Sequence, residues 1–190
     1  KAYLDRISES KRHQGVIALS KDFEYCSLDD ILEYAKSKGE KLFLIILDGI
    51  EDPHNLGSII RVAECVGAHG IVLPTRRSVG VNATVLRASA GAANHMRIAS
   101  VTNINDTIRS LKDDFVNVYC ADMNGDCLYD SHLKEDTAIV IGSEGFGVKQ
   151  LTAKLCTGVL SIPQFGKVNS LNASVACGII CYEVARQRLK

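Results

Sequence analysis

The chain has 190 residues, 46% of them hydrophobic, and its 22 basic residues balance its 22 acidic residues. This length and apolar content suit one domain with one substantial core. A net charge of zero excludes the strongly basic surface of a self-sufficient nucleic-acid binder, so any contact with RNA must be local.

The cysteine pattern and the hydropathy bound the compartment. Seven cysteines occur without C-x-x-C pairs, which predicts buried reduced thiols in a cytoplasmic protein rather than disulfides or a zinc site. No apolar run approaches the roughly 20 residues of a membrane span, and no signal peptide opens the chain. We therefore expect neither a membrane nor a metal among its partners.

In chain order, residues 1–15 are polar and predict a linker or arm, and residues 16–190 predict the folded domain. Because the chain starts with Lys1 rather than Met, we expect that an N-terminal portion is missing. The predicted strands are short and mostly apolar, as parallel strands covered on both faces are. They span 16–19, 42–47, 70–73, 97–101, 116–121, 138–141 and 158–162.

Predicted helices alternate with these strands. Ser27 caps a helix that runs to about Lys38 and stops at Gly39, and further helices are predicted over 56–66, 104–112 and 171–189. Such alternation predicts an α/β fold, mainly a parallel sheet with helices on both faces. In this fold class the ligand loops lie at the carboxyl ends of the strands.

The first polar loop spans residues 48–57 and leads into a predicted helix that carries Arg61. His54 or Asn55 could cap that helix, and Arg61 would project near the same end if it faces the loop. The alternative is that Asp52 and Asn55 are only turn and cap residues and that Arg61 is a solvated charge. The residues of this loop alone favour that alternative.

The second loop, residues 142–147, holds three glycines that allow close approach of backbone amides to a ligand. Its order is not the dinucleotide fingerprint G-x-G-x-x-G, and no Walker lysine follows it. This excludes nicotinamide and nucleoside triphosphate chemistry of the usual kind. Glu144 could equally be a helix-start charge stabilised by the helix dipole.

The third loop spans residues 162–176. Ser170, Asn172 and Ser174 crowd a predicted helix start where one cap would suffice, so the excess of hydrogen-bonding groups predicts a ligand. The apolar stripe that follows, from Cys177 to Val184, is typical of a core or dimer face.

In this order and spacing, the three loops resemble the signature motifs of the SpoU (TrmH) family of RNA ribose 2′-O-methyltransferases. The resemblance covers the chain from about His13 to its end. The matching segments are 52–57 with Arg61, 141–145, and 162–163 with 170–176. Segments 13–15, 73–78 and 88–92 further resemble the branch that modifies a guanosine of bacterial 23S rRNA. The chain departs from the common pattern at Gln164 and Ala173, where methionine and valine are frequent.

The resemblance implies a C-terminal trefoil knot, bound S-adenosylmethionine, a homodimer that completes each active site, and an N-terminal RNA-binding domain of L30e-like type outside this chain. It implies a catalytic group made of Asn55, Arg61, Glu144, Ser170 and Asn172. It implies cofactor contacts from Ala121, Gly142, Ile162, Pro163, Ser170 and Leu171.

RNA recognition is sparsely encoded. Arg76, Arg77 and Arg87 are candidates for phosphate contacts, with a solvated charged face as the alternative. The few aromatic residues are not interleaved with these arginines, so the sequence predicts no base-stacking platform.

Alternatives remain for the function and for Arg61. The substrate could be tRNA, or the chain could be a non-catalytic RNA-binding module of ribosome assembly; a dehydrogenase is disfavoured by the missing fingerprint. The resemblance implies that Arg61 could be the base, a role often proposed for this arginine in the family. A free guanidinium stays protonated up to a pH of about 12, which disfavours it as a base. The competing role for Arg61 is therefore a phosphate clamp.

Overall fold

The computed structural model describes residues 2–7, 23–168 and 170–189. The strands are β1 Phe43–Asp48, β2 Gly70–Pro74, β3 Ile98–Val101, β4 Asn117–Cys127, β5 Thr137–Gly142 and β6 Gly158–Ser161. The helices are α1 Ala2–Ile7, α2 Leu28–Lys38, α3 Pro53–Cys65, α4 Ala83–Ala88, α5 Ile104–Asp113, α6 Gln150–Leu155 and α7 Ala173–Arg188, with 3₁₀ turns at Ala92–Asn94 and Leu128–Asp130.

The strands form one sheet in the order β3-β2-β1-β5-β4-β6, and the neighbouring strands pair in parallel. The chain builds outward from β1 through β2 to β3, then crosses to the other side of β1 for the remaining strands. The strand order therefore reverses between β1 and β5, and ligands of open α/β sheets bind at such a point, beyond the carboxyl ends of the strands. The predicted α/β class is confirmed.

Alternation along β1 explains why its sequence is continuously apolar. Phe43, Ile45 and Leu47 pack in one core with α3, α4 and α7, while Leu44 and Ile46 pack in a second core with α2, α5 and α6. All five side chains are buried, as expected of a strand covered by helices on both faces.

The helix ends confirm one prediction and correct two. α2 has Ser27 as its cap and ends at Gly39, whose φ of 64° is in the left-handed region. The prediction that α3 starts at 56 with His54 or Asn55 as its cap is wrong, because Asp52 caps it and Pro53 fills its first turn. The last helix starts at Ala173 rather than 171, with Asn172 as its cap.

Sequence patterns missed α4, α6 and the far end of β4. The predicted strand 116–121 continues to Cys127 through a register shift between Ala121 and Asp126. Polar residues 122–126 hide this part of the strand, because they break the apolar pattern. The predicted strand 16–19 lies outside the described residues, as do residues 8–15 of the expected arm, whereas residues 2–7 are helical.

All seven cysteines are free thiols, as predicted, but the expected burial holds only for Cys120, Cys177 and Cys181, because Cys65 is exposed and the other three are partly exposed. Across residues 2–7, 23–168 and 170–189, no helix is both long and apolar enough to cross a bilayer.

Candidate active site

The loop after β1 owes its conformation to Asp52. The Asp52 carboxylate accepts the backbone N–H groups of His54 at 3.3 Å and Asn55 at 3.1 Å. Because Asp52 caps α3, the side chain of Asn55 is not needed for capping and is available for contacts beyond its own helix.

Asn55 joins the three polar loops. Its Nδ2 donates to Glu144 Oε1 in the loop after β5, and its Oδ1 accepts a bond from Asn172 Nδ2 at 3.0 Å. Asn172 Oδ1 in turn accepts the N–H groups of Ser174 at 2.9 Å and Val175 at 3.3 Å, so Asn172 caps α7 while it holds Asn55. The structure therefore brings together Asn55, Glu144 and Asn172, three of the five residues predicted to be catalytic.

The loop after β5 is closed on itself by two backbone hydrogen bonds. Ser143 N–H donates to Gly147 O at 3.2 Å, and Gly147 N–H donates to Ser143 O at 2.9 Å. A Cβ atom on Gly142 would lie 2.0 Å from the carbonyl carbon of Gly147. Glycine is therefore required at 142 for the two backbones to approach, as the glycine-rich pattern suggested.

A cavity of about 320 Å³ opens between these loops. Of the residues predicted to bind a cofactor, all but Pro163 line it. The lining consists of Ala121, Asp122, Met123, Ile141, Gly142, Ser143, Glu144, Gly145, Phe146, Gly147, Leu160, Ile162, Gln164, Ser170, Leu171, Ala173 and Ala176. Apolar walls with a few polar groups and a glycine-lined backbone suit a small organic ligand.

The cavity includes residues that the sequence pattern did not indicate. Asp122 and Met123 reach it through the unpredicted extension of β4. Phe146 lies at its wall with 94% of its surface exposed, and Phe165, beside the lining residue Gln164, is 97% exposed. No sequence signal distinguishes these two phenylalanines from core residues, because their exposure depends on how the loops fold.

Arg61 lies apart from the group that contains Asn55. It is exposed on α3, six positions after Asn55, and makes no hydrogen bond or ion pair with the part of the chain that the structure describes. At about 100° per residue, six positions place the two side chains on different sides of the helix. Within residues 2–7, 23–168 and 170–189, no hydrogen bond joins Arg61 to the loop, so its place in the catalytic group stays a prediction.

The arginines expected to contact RNA are all exposed. Arg76 and Arg77 follow the carboxyl end of β2, and Arg77 has a positive φ of 57°. Arg87 donates to Thr84 Oγ1 at 3.2 Å within α4. No three metal-ligating side chains gather anywhere in residues 2–7, 23–168 or 170–189.

An ion pair lies beneath the loop after β5. Lys149 Nζ is 2.5 Å from Oδ1 of Asp48, the last residue of β1, and the Asp48 side chain is 2% exposed. The Lys149 backbone N–H also donates to Asp48 Oδ2 at 3.2 Å.

The sequence profile of the SpoU rRNA Methylase family matches residues 42–182, which include all three loops. The chain belongs to this family. A SpoU family relative from Bacillus subtilis, YacO, assigned by name to the TrmH family tRNA/rRNA methyltransferases, is 46% identical over 178 residues. That alignment covers 93% of this chain and 72% of YacO.

Two further comparisons extend the SpoU family likeness. The uncharacterized tRNA/rRNA methyltransferase slr0955 of Synechocystis is 43% identical over 97% of this chain, which spans 48% of that relative. The AdoMet-bound rRNA methyltransferase of Sinorhizobium meliloti superposes with a TM-score of 0.79 at 30% identity, over 88% of this chain and 62% of that one. This chain thus spans about half to three quarters of its relatives.

Proposed function

We propose that this chain transfers the methyl group of S-adenosylmethionine to a ribose 2′-hydroxyl of RNA, with a guanosine of 23S rRNA as the first candidate. The observation that carries the proposal is the bonded group Asn55, Glu144 and Asn172 at the edge of a glycine-lined cavity. The likeness to an AdoMet-bound rRNA methyltransferase supports both the cofactor and the substrate.

The residues of the cavity fit this cofactor. The close approach at Gly142, which a Cβ would prevent, leaves a backbone surface for a flat polar group. Ile162 and Leu171 provide apolar contacts, and Glu144 and Ser170 provide polar ones. When bound, S-adenosylmethionine supplies a methyl carbon made electrophilic by its sulfonium.

The remaining task of the protein is to orient a ribose and remove its proton. The 2′-oxygen forms a bond to the methyl carbon as the carbon–sulfur bond breaks, and the 2′-proton leaves to a base. Asn55 and Asn172 hold the Glu144 carboxylate in place at the wall of the cavity. Such positioning of reacting groups lowers the barrier without a covalent intermediate.

Arg61 is proposed to be essential, either as the base that takes the 2′-proton in the RNA complex, or as the clamp for a substrate phosphate. The clamp requires a charged guanidinium at working pH, which is its ordinary state. Under either role Arg61→Ala loses methyl transfer at limiting RNA. If Arg61 is the base, saturating RNA leaves turnover lost, and if it is the clamp, saturating RNA restores part of it.

A homodimer would explain why Arg61 lies away from the site of its own chain. Helices α3 and α7 pack together and leave apolar surface exposed, including Val175 and Tyr182 on α7 and Tyr129 nearby. Patches of this kind mark association surfaces. We propose that this face pairs two copies, so that Arg61 of one serves the cavity of the other. Sedimentation of wild type and Tyr182→Glu tests the pairing, and a monomeric wild type would contradict it.

Three further features complete the proposal. We infer a trefoil knot formed by the segment before α7, because this segment and the loop after β5 line the same cavity. A crystal structure in which the segment does not pass through a loop of the chain would contradict the knot.

We infer cytoplasmic action on RNA contacted by Arg76, Arg77 and Arg87. We also infer that an N-terminal RNA-binding domain adds affinity, to be tested by comparing RNA binding of this chain with the full-length protein across salt concentrations.

The decisive test is methyl transfer from tritiated S-adenosylmethionine to total RNA from a strain that lacks the protein. We expect incorporation into 23S rRNA at a nucleotide that resists alkaline cleavage, because a 2′-O-methyl group blocks the attacking oxygen. Arg61→Ala should abolish incorporation without loss of cofactor binding. Arg109→Ala, which removes an exposed arginine of α5, is the control and should retain incorporation. Label in tRNA would redirect the substrate, and full turnover by Arg61→Ala would refute its role. Absence of label with the full-length protein would favour the binding module.

A further inference from the structure

The loop between β5 and α6 carries Glu144, yet little of it is anchored in the core. Its tip, from Glu144 to Phe146, is exposed, and Val148 is the only fully buried side chain among residues 143–148. A loop that must hold a carboxylate at the cavity wall therefore needs fixed ends.

Both ends of this loop meet at Asp48. The sheet register pairs Asp48 with Gly142, the residue before the loop. The Asp48 carboxylate holds Lys149, the residue after the loop, through the backbone N–H at 3.2 Å and Nζ at 2.5 Å. Asp48 thus contacts both ends of the loop, in addition to the two backbone bonds between Ser143 and Gly147 that close it.

The charge of this pair matters because Asp48 is buried. With 2% of its side chain exposed, the carboxylate has lost most of its hydration, and a buried charge needs an opposite charge and hydrogen bonds close to it. Lys149, the residue before α6, supplies both through its ammonium and its backbone N–H. The Lys149 side chain is 55% exposed, so the pair lies at the boundary between the core and solvent.

We propose that Asp48 and Lys149 are a positioning pair that sets the loop 143–148, and through it Glu144, for methyl transfer. The inference rests on the proposed function for its kinetic consequence, but its structural part concerns only the order of the loop. Neither residue lines the cavity, so the pair acts through Glu144 rather than on a ligand.

Amide exchange tests the structural part without any activity. In Lys149→Met, protection of the Ser143 and Gly147 amides, which bond each other across the loop, should fall by about tenfold. Lys149→Arg should retain the protection, because it keeps the charge and the reach. Lys154→Met on α6 removes the same charge from an exposed position and serves as the matched control. Unchanged exchange in Lys149→Met overturns the proposal, whatever the protein does to RNA.

Turnover tests the kinetic part. At saturating cofactor and RNA, Lys149→Met should lower kcat about tenfold, and in a Glu144→Gln background it should add little, since both changes disable the same carboxylate. Fully multiplicative losses would show that the pair acts independently of Glu144 and would overturn the proposal. An inert wild type, together with protection that still falls in Lys149→Met, would instead contradict the proposed function and support the structural part of this proposal.

Discussion

The parallel strands all begin at one rim of the sheet, called here the amino edge, and end at the other, called the carboxyl edge. The two edges use polar side chains in opposite ways. At the amino edge, Arg188 donates to the carbonyls of Lys41 at 2.8 Å, Leu42 at 3.0 Å, Leu133 at 3.2 Å and Glu135 at 2.6 Å. At the carboxyl edge, Asn55, Glu144 and Asn172 bond one another across loops.

The difference separates stability from function. Side chains at the amino edge satisfy backbone groups that the ends of strands leave unpaired, so their loss should destabilise the fold. Side chains at the carboxyl edge position one another beside a cavity, so their loss should reduce activity more than stability.

Gly142→Ala should have the largest effect. The new Cβ would lie 2.0 Å from the carbonyl carbon and 2.2 Å from the oxygen of Gly147, so the loop must move away from the cavity. Affinity for S-adenosylmethionine, measured by calorimetry, should fall by about 100-fold, a loss of about 2.8 kcal/mol of binding free energy, because the displaced backbone no longer contacts the cofactor. Gly145→Ala is the control, because nothing lies within 4 Å of its added Cβ. Equal affinities for the two variants would show that the loop does not hold the cofactor.

Arg188→Met should have the next largest effect, on stability alone. Burial lowers the pKa of the Arg188 guanidinium below its usual range, although the charge of Asp136 opposes the shift. Removing it deprives four carbonyls of a donor and should reduce the free energy of unfolding by about 2–3 kcal/mol. Urea unfolding measures this loss. Arg109→Met, an exposed arginine paired with Asp106, should change it by less than about 0.5 kcal/mol. A matching loss of turnover per folded molecule in Arg188→Met would break the division between the edges.

Asn55→Asp should act on turnover. The substituted oxygen replaces the Nδ2 donor and faces the Glu144 carboxylate, so two negative groups would repel one another and displace Glu144. We expect kcat to fall about tenfold, with unfolding little changed because Asp52 remains the cap of α3. Asn94→Asp, at an exposed position in a 3₁₀ turn, is the control. A larger loss of stability than of turnover would place Asn55 with the residues of the amino edge.

The sequence predicted the sheet better than the edges. Apolar runs such as residues 42–47 follow from burial on both faces, which is a local property of the strand. Helix α4 and the end of β4 were not predicted, because residues 83–88 and 122–127 mix apolar and polar side chains. Their conformation depends on packing against distant segments, as the close contact of Gly125 with Val159 shows.

The site divides in the same way. Loop motifs identified Asn55, Glu144 and Asn172 correctly as neighbours. The family resemblance supplies such long-range contacts, since Glu144 lies 89 positions and Asn172 lies 117 positions after Asn55 in the chain. Asp48 and Lys149 carried no such signal and appear as a pair only through the register of β1 and β5. Capping was misassigned from Asp52 to its neighbours, since several residues in a row could each cap a helix.

His69 should show the smallest effect, and it tests the amino edge by pH. Its Nδ1 accepts the Phe43 N–H at 3.0 Å, and its Nε2 lies 3.1 Å from Glu40 Oε2. Protonation of Nδ1 would therefore place its N–H against the N–H of Phe43, and this hydrogen bond would be lost. Burial lowers the His69 pKa from 6.5, although Glu40 opposes the shift. The unfolded chain therefore binds a proton first as pH falls below 6.5, and stability is lost from there down to the folded pKa.

Between pH 7 and about 5.5, the free energy of unfolding of the wild type, measured with urea, should fall by less than about 1 kcal/mol. His69→Asn, which keeps an acceptor for Phe43, should lose less over the same interval, while cofactor affinity shows no difference between the two proteins. Identical pH slopes would mean that His69 does not titrate with folding, and a change in cofactor affinity would show that the amino edge communicates with the site.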